Sequence, residues 1–352
     1  MRLEFIERLA EGEVLGRSIL SGDGKVLLRA GVRLSSQYID RLRELGVLYV
    51  YIEDDRLCDV RVEDERLMEL KKNTMMNMSQ IAKNVNNCNK SEFKKSLKMV
   101  EELIEYIIDD GEVNLSLYDI RTHDNYTYLH SIDTGIMAAF IGISCKYSET
   151  DLKELGLGAI LHDIGKTKID HKIINKAGKL TEEEFSEMKK HPVYGAEMLK
   201  RNYSIPNSVI RIVEQHHERI DGRGYPRGIS GNEINTFANI VSVCDVYDAV
   251  SNDRSYRKKL KPNESYELIL SGSGAAFDEG IVKKFRETFA VYPLGCCLRL
   301  SNGIEGYVIQ QNRNFPDRPV LRVLYEGETK KPIPFYEIDL LQNSNLIVEA
   351  II

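Results

Sequence analysis

The chain contains seven histidines, at positions 123, 130, 162, 171, 191, 216 and 217, and all of them fall in one stretch that reads as nearly all helix. The two ends of the chain read as short apolar runs between turns and hold none. This distribution constrains the fold. The chain must carry one helical, histidine-rich centre flanked by smaller parts with strand character. A length of 352 residues accommodates about two domains or more at ordinary domain sizes.

Four zones are expected. Residues 1–55 form a small α+β module. Ser21-Gly22-Asp23-Gly24-Lys25 is a hairpin turn between two apolar runs. Ser35 and Ser36 then cap a helix over 37–45 that Gly46 stops. Residues 56–114 are a polar helical linker, with Leu97, Val100, Leu103, Ile104, Ile107 and Ile108 on one stripe. Met68, Met75, Met76 and Met78 are expected to pack within or between its helices. Residues 115–290 form the helical centre, with helices over 151–161, 181–190, 194–203 and 207–218. Thr181-Glu182-Glu183-Glu184 is a capping box. In residues 291–352, runs at 297–300, 305–310, 320–325 and 346–351 between Gly, Asn and Pro turns indicate a small β domain.

Composition excludes several classes. Apolar residues at 42% and charged residues at 29% suit a globular protein and not a disordered one. A net charge of −6 argues against binding a nucleic-acid polymer, while leaving room for a local basic site. The most apolar run, 135–145, is shorter than the roughly 20 residues of a spanning helix, so no membrane insertion is expected. The first residues are acidic and amphipathic, without a signal-peptide core. Six scattered cysteines without a CxxC pair fit reduced thiols in the cytoplasm.

Within the centre, His162-Asp163 closes an apolar helix and precedes Gly165 and Lys166. His216-His217-Glu218 is expected on a helix that leads into Asp221-Gly222-Arg223-Gly224-Tyr225-Pro226. Asp245 and Asp248 are three apart on an otherwise apolar helix, so they share a face. Such a helix buries carboxylates only when a metal or other cation compensates them. Imidazole with carboxylate suits Fe, Mn, Co, Ni or Zn better than Ca or Mg. No cysteine joins the set, which argues against a structural thiolate zinc site. Two metals bridged by a carboxylate are a recognised device for phosphoester hydrolysis.

Several strings together carry a family resemblance. His162-Asp163-Ile164-Gly165-Lys166, the HHERIDGRGYPRG string of 216–228, and Asp245-Val246-Tyr247-Asp248-Ala249 followed by Arg254-Ser255-Tyr256-Arg257 resemble an HD-GYP domain. Asp124-Asn125-Tyr126-Thr127-Tyr128-Leu129-His130-Ser131 and the segment 180–192 match in order and spacing. The resemblance covers roughly residues 120–290, and five linked motifs make it specific. It implies a multidomain protein: a predominantly α-helical HD-type catalytic domain, with the α+β module before it and the β domain after it. It also implies a metal-dependent phosphodiesterase that opens cyclic di-GMP to linear pGpG, with further cleavage to GMP left open.

Carried over residue by residue, the resemblance gives one metal to His130, His162, Asp163 and Asp245. Asp163 bridges to a second metal, completed by His191 and His216. His217 corresponds to a third-metal ligand in some family members. Those members have a glutamate where this chain has Tyr126, which argues for two divalent ions, iron or manganese. Lys166 would offset charge as the leaving oxygen develops. Arg254 and Arg257 would grip phosphate or guanine. Asp248 and Tyr225 join the substrate-binding set, with Tyr225 either stacking on a base or packing on a partner. The resemblance implies contacts with diguanylate cyclase domains through Gly224-Tyr225-Pro226, and the polar helices before residue 115 can pair two chains. His123 and His171 lie off the motifs. Two other readings remain: a phosphodiesterase for cyclic GMP-AMP or another nucleotide, and a non-catalytic adaptor that binds a cyclic dinucleotide.

Overall fold

The computed structural model describes residues 1–20, 26–60, 65–86, 90–110, 127–176, 178–202, 205–251, 262–312, 315–326 and 331–352. They fall into two compact units, one built from both ends of the chain and one from the middle.

In the first unit, β1 (Arg2–Phe5) pairs antiparallel with β4 (Tyr49–Ile52), Leu3 opposite Tyr51. Between them come β2 (Ile19–Leu20), β3 (Val26–Leu28) and α1 (Ser36–Glu44). The turn expected between β2 and β3 lies outside the described residues. The Ser35 hydroxyl caps α1 by accepting from the Tyr38 N–H. Because strand side chains alternate, β4 serves two cores. Tyr49 and Tyr51 face one, while Val50 and Ile52 join Leu15, Leu34 and Leu42 in the other. A strand buried on both faces reads in sequence as an unbroken apolar run.

The C-terminal part is a five-stranded antiparallel sheet in the order β8-β7-β6-β5-β9. Its strands are β5 (Cys297–Leu300), β6 (Glu305–Asn312), β7 (Phe315–Glu326), β8 (Lys331–Asp339) and β9 (Val348–Ile351). Sequence reading missed β8 because Pro332 and Pro334 argue against a strand. The sheet accepts them because β8 is an edge, where a missing N–H breaks no ladder. The ends, read from sequence as separate parts at 1–55 and 291–352, here share one core. Leu3, Tyr49, Tyr51, Leu57 and Val60 pack with Leu298, Leu300, Val308, Leu321 and Val323. Arg322 clamps this arrangement, donating to both oxygens of Asp59 at 2.7 Å and to Glu337.

In the second unit, α2 (Glu65–Asn86) and α3 (Lys90–Asp110) form a helical hairpin. Thr74 bonds Met99 O and Asn77 bonds Ser96 O, a reverse-order pairing that makes the two helices antiparallel. The predicted α3 stripe is buried from Leu97 to Ile107. Met78 joins the core, but Met76 is 56% exposed, because it falls on the outer face of α2. Next come α4 (Thr127–Ser144), α5 (Glu149–Leu161), a 3-10 turn (Ile164–Lys168), α6 (His171–Ile174), α7 (Glu182–Met188) and α8 (His191–Asn202). They are followed by α9 (Asn207–Gln215), α10 (Thr236–Ser251), α11 (Pro262–Ser271) and α12 (Glu279–Thr288). The Thr181–Glu184 capping box is present on α7. The apolar run of α4 is covered by protein, Ile136 to Ile141 being buried throughout. Among the described residues, no helix is long and apolar enough to cross a membrane.

Candidate metal centre

Three helix ends set the site. His162 is the C-cap of α5, His191 opens α8 just after α7, and His216 is the C-cap of α9. Each ring turns back to a carbonyl three residues earlier. Nδ1 of His162 donates to Ala159 O at 2.6 Å, that of His191 to Met188 O at 2.8 Å, and that of His216 to Val213 O at 3.0 Å. These carbonyls lie in the last turns of α5, α7 and α9, where a helix end leaves acceptor capacity unfilled. A carbonyl only accepts, so each neutral ring carries its proton on Nδ1 and presents a bare Nε2 lone pair to the site. The helix expected over 207–218 therefore stops at Gln215. His216 uses its ring to satisfy the end, and His217 lies beyond it.

The bare nitrogens converge on two groups of donors. His130, His162 and Asp245 form one, and Asp163, His191, His216 and His217 the other, with ligand atoms within 4.8 Å of one another in each. Asp163 faces both groups. Its Oδ2 lies 3.4 Å from His162 Nε2, and its Oδ1 lies 3.3 Å from His191 Nε2 and 4.0 Å from His216 Nε2. His217 Nδ1 is 3.5 Å from Asp245 Oδ2. The Nε2 atoms of His191 and His216 are only 3.3 Å apart. With both protons on Nδ1, two lone pairs confront each other, an arrangement that a cation between them relieves. His162 Nε2 and Asp163 Oδ1 are fully buried without a hydrogen-bond partner. Orphaned acceptors aimed at one point, imidazole and carboxylate in kind, fit divalent transition-metal ions.

The electrostatics agree. Burial lowers His191 to about 3 and His217 to about 4, and drives His216 well below its ordinary value. All three are therefore neutral ligands at physiological pH. Burial alone would raise Asp163, but Lys166 and the neighbouring histidines outweigh it and hold the carboxyl well below the usual range. Asp245 behaves likewise, held down chiefly by its bond from His130. His130 is the exception. Burial would lower it, yet hydrogen bonds to Asp245 and Asp248 raise it to about 10. Its Nε2 is 2.9 Å from Asp245 and its Nδ1 2.6 Å from Asp248.

Not every residue singled out from sequence lies where a substrate contact would. Asp248 is 2% exposed and takes His130 Nδ1, the carboxylate–histidine pairing that orients a metal ligand. Expected in the substrate-binding set, it is engaged here with His130. Lys166 is ion-paired with Asp163 and partly exposed. The Tyr225 ring lies 4.6 Å from that of His217, tilted by 33°. Its N–H donates to His217 O and that of Arg227 to Glu218, folding the loop back on the histidine pair. Gly224 permits this, since a Cβ there would lie 2.5 Å from Arg219 N. His171 is exposed and belongs to neither group. His123, Tyr126, Arg254 and Arg257 lie outside the described residues. Sequence reading missed Asp133, buried one turn past His130. Its signal is an acid within the apolar run that begins at Ile132.

Comparison with known proteins adds to this geometry. The HD domain family matches residues 118–281, and the KOW domain associated with HD domains matches residues 297–352. The chain is 34% identical over 242 residues to the cyclic di-GMP phosphodiesterase PA4108 of Pseudomonas aeruginosa, covering 69% of this chain and 58% of that protein. It is 30% identical over 168 residues to the 3'3'-cGAMP-specific phosphodiesterase 3 of Vibrio cholerae, covering 48% of this chain and 36% of that protein. The chain thus spans less than two thirds of the length of either relative. Among solved structures it resembles Bd1817, an HDG"Y"P protein from Bdellovibrio bacteriovorus, at 16% identity and a TM-score of 0.51. That match covers 80% of this chain and 97% of Bd1817, and it is a likeness of fold.

Proposed function

The helical centre of this chain belongs to the HD domain family in its HD-GYP form, and from that premise we propose that the protein is a metal-dependent phosphodiesterase that hydrolyses cyclic di-GMP to linear pGpG. One observation carries the reading: six imidazole and carboxylate side chains gather around Asp163, and three of the imidazoles, those of His162, His191 and His216, are anchored through Nδ1 so that Nε2 faces the site.

In this reading His130, His162 and Asp245 would hold one divalent ion and His191 and His216 a second, with Asp163 as the carboxylate that would serve both. His217 lies beside the second group, as a peripheral ligand or a hydrogen-bonding neighbour. Such ions, when bound, activate water and polarise the phosphoryl group. The chain's own residues do the rest. Lys166, anchored to Asp163, offsets charge on the leaving oxygen. Tyr225, against His217, offers an aromatic face to a base. Arg254 and Arg257 are assigned to the phosphates on their sequence alone. Iron or manganese suits the donor set, and Tyr126 argues for two ions.

For the whole chain we propose a catalytic region at 115–290, a helical segment at 56–114 whose helices belong to the same compact unit, a regulatory module at 1–55, and a β domain at 291–352 that shares a core with that module. We also propose a cytoplasmic location, pairing through the front helices, and contact with diguanylate cyclase domains through Gly224-Tyr225-Pro226.

The V. cholerae relative's name keeps cyclic GMP-AMP as the second reading. A product time course on cyclic di-GMP, cyclic GMP-AMP and pGpG as separate substrates decides between them. Fastest loss of cyclic di-GMP with accumulating pGpG is expected, because linear pGpG must be ordered on binding at a cost the cyclic ligand has already met. Preference for the hybrid dinucleotide would replace the substrate, and rapid GMP formation from pGpG would overturn the two-ion count.

A further inference from the structure

One buried charge pair takes no part in this account. Lys71, on α2, is 4% exposed, and its Nζ is ion-paired with Asp133 on α4. Helix α2 lies outside the residues that match the HD domain family. Asp133 sits one helical turn past His130, so the two share a side of α4. From α10, Asp245 and Asp248 hold the two ring nitrogens of His130. Three buried carboxylates therefore gather at this side of the metal centre, and only two of them share the imidazole.

The third depends on Lys71. Burial, with the nearby charge of Asp248, raises the Asp133 carboxyl to about 7 even though Lys71 pulls it down. Without Lys71, Asp133 would be a buried charge with no counter-ion, and it would take up a proton instead. The Lys71–Asp133 pair ties the turn of α4 that carries His130 to α2. With the tie gone, that turn of α4 would be free to shift against α10, and the ring would lose the fit to Asp248 that aims its Nε2.

A hydrophobic residue at position 71 could fill the space without the desolvation that an ion pair incurs. The rest of α2 supports a placed helix and not a passive cover. Thr74, Asn77 and Asn84 bond across the seam to α3 and fix its register, while Lys71 reaches α4. We propose that Lys71 is a positioning residue for the His130 side of the metal centre, so that the placement of α2 sets how tightly the His130–His162–Asp245 group binds a divalent ion. The inference rests on the metal reading above.

The test is a Co2+ titration of the full chain, followed by visible absorption, for wild type, Lys71→Met and the double variant Lys71→Met with Asp133→Asn. The double variant leaves no buried charge unpaired, so its folding does not depend on the pair. Removing a nearby cation would by itself tighten binding of a dication. A positioning role reverses that sign. The expected result is that one of two Co2+ sites weakens by about 10–100-fold in both variants, the range for residues that orient a metal-ligating histidine, while the other site is retained. A double variant that binds both ions as tightly as wild type, or more tightly, would overturn the inference alone. A wild-type chain that takes up no Co2+ would overturn the metal reading and this inference with it.

Discussion

Replacing Asp163 with asparagine is expected to remove most bound metal and to lower turnover by on the order of 10³-fold or more, since the amide neither bridges two dications nor balances their charge. The two oxygens of Asp163 face both ligand groups, Oδ2 towards His162 and Oδ1 towards His191 and His216. It also carries the Lys166 ion pair. An asparagine keeps the volume, so the fold should survive, with the loss confined to metal content and rate. His171→Ala is the control: His171 is exposed, lies in neither group, and should leave both unchanged. Metal analysis beside a hydrolysis assay checks this, and an Asp163→Asn protein with wild-type metal and rate would remove Asp163 from the site.

Gly165→Ala is expected to destabilise the protein by about 2–3 kcal/mol, the upper part of the range for overpacking a tight contact. A Cβ at position 165 would lie 2.0 Å from the His191 carbonyl oxygen and 2.5 Å from Gly195 N. Both neighbours are backbone, so neither can rotate away, and the 3-10 turn must separate from α8. That turn follows directly on Asp163 and carries Lys166, while α8 opens on His191. The same methyl group should therefore weaken the Asp163–His191 side of the metal centre. Urea denaturation and metal content measured on one preparation check both effects. Unchanged stability would show that the turn and α8 do not touch as the structure places them.

Much of the centre was legible in the sequence because its chemistry is unusual for its surroundings. Asp245 and Asp248 in an apolar helix, and histidines at helix ends, stand out against residues that otherwise report only packing. The same reading could not separate the roles of those two aspartates. A spacing of three places both on one face, and only the fold shows that Asp248 stands behind His130. Lys71 was invisible for a related reason. A lysine in a polar helix reads as solvated, and its burial against Asp133 is a property of the packing between α2 and α4. At the ends, alternation within β4 made two cores from one strand, which no local pattern reveals. Strand β8 was hidden by prolines that only its edge position tolerates.

The central claim is that this constellation hydrolyses a cyclic dinucleotide with the help of divalent metal. The most direct test follows cyclic di-GMP hydrolysis by anaerobically purified protein, as isolated, after chelation, and after reloading with Fe2+ or Mn2+. Hydrolysis to pGpG that disappears with the metal and returns with it is the predicted result. Equal rates with and without metal, or no hydrolysis by fully loaded protein, would contradict the account.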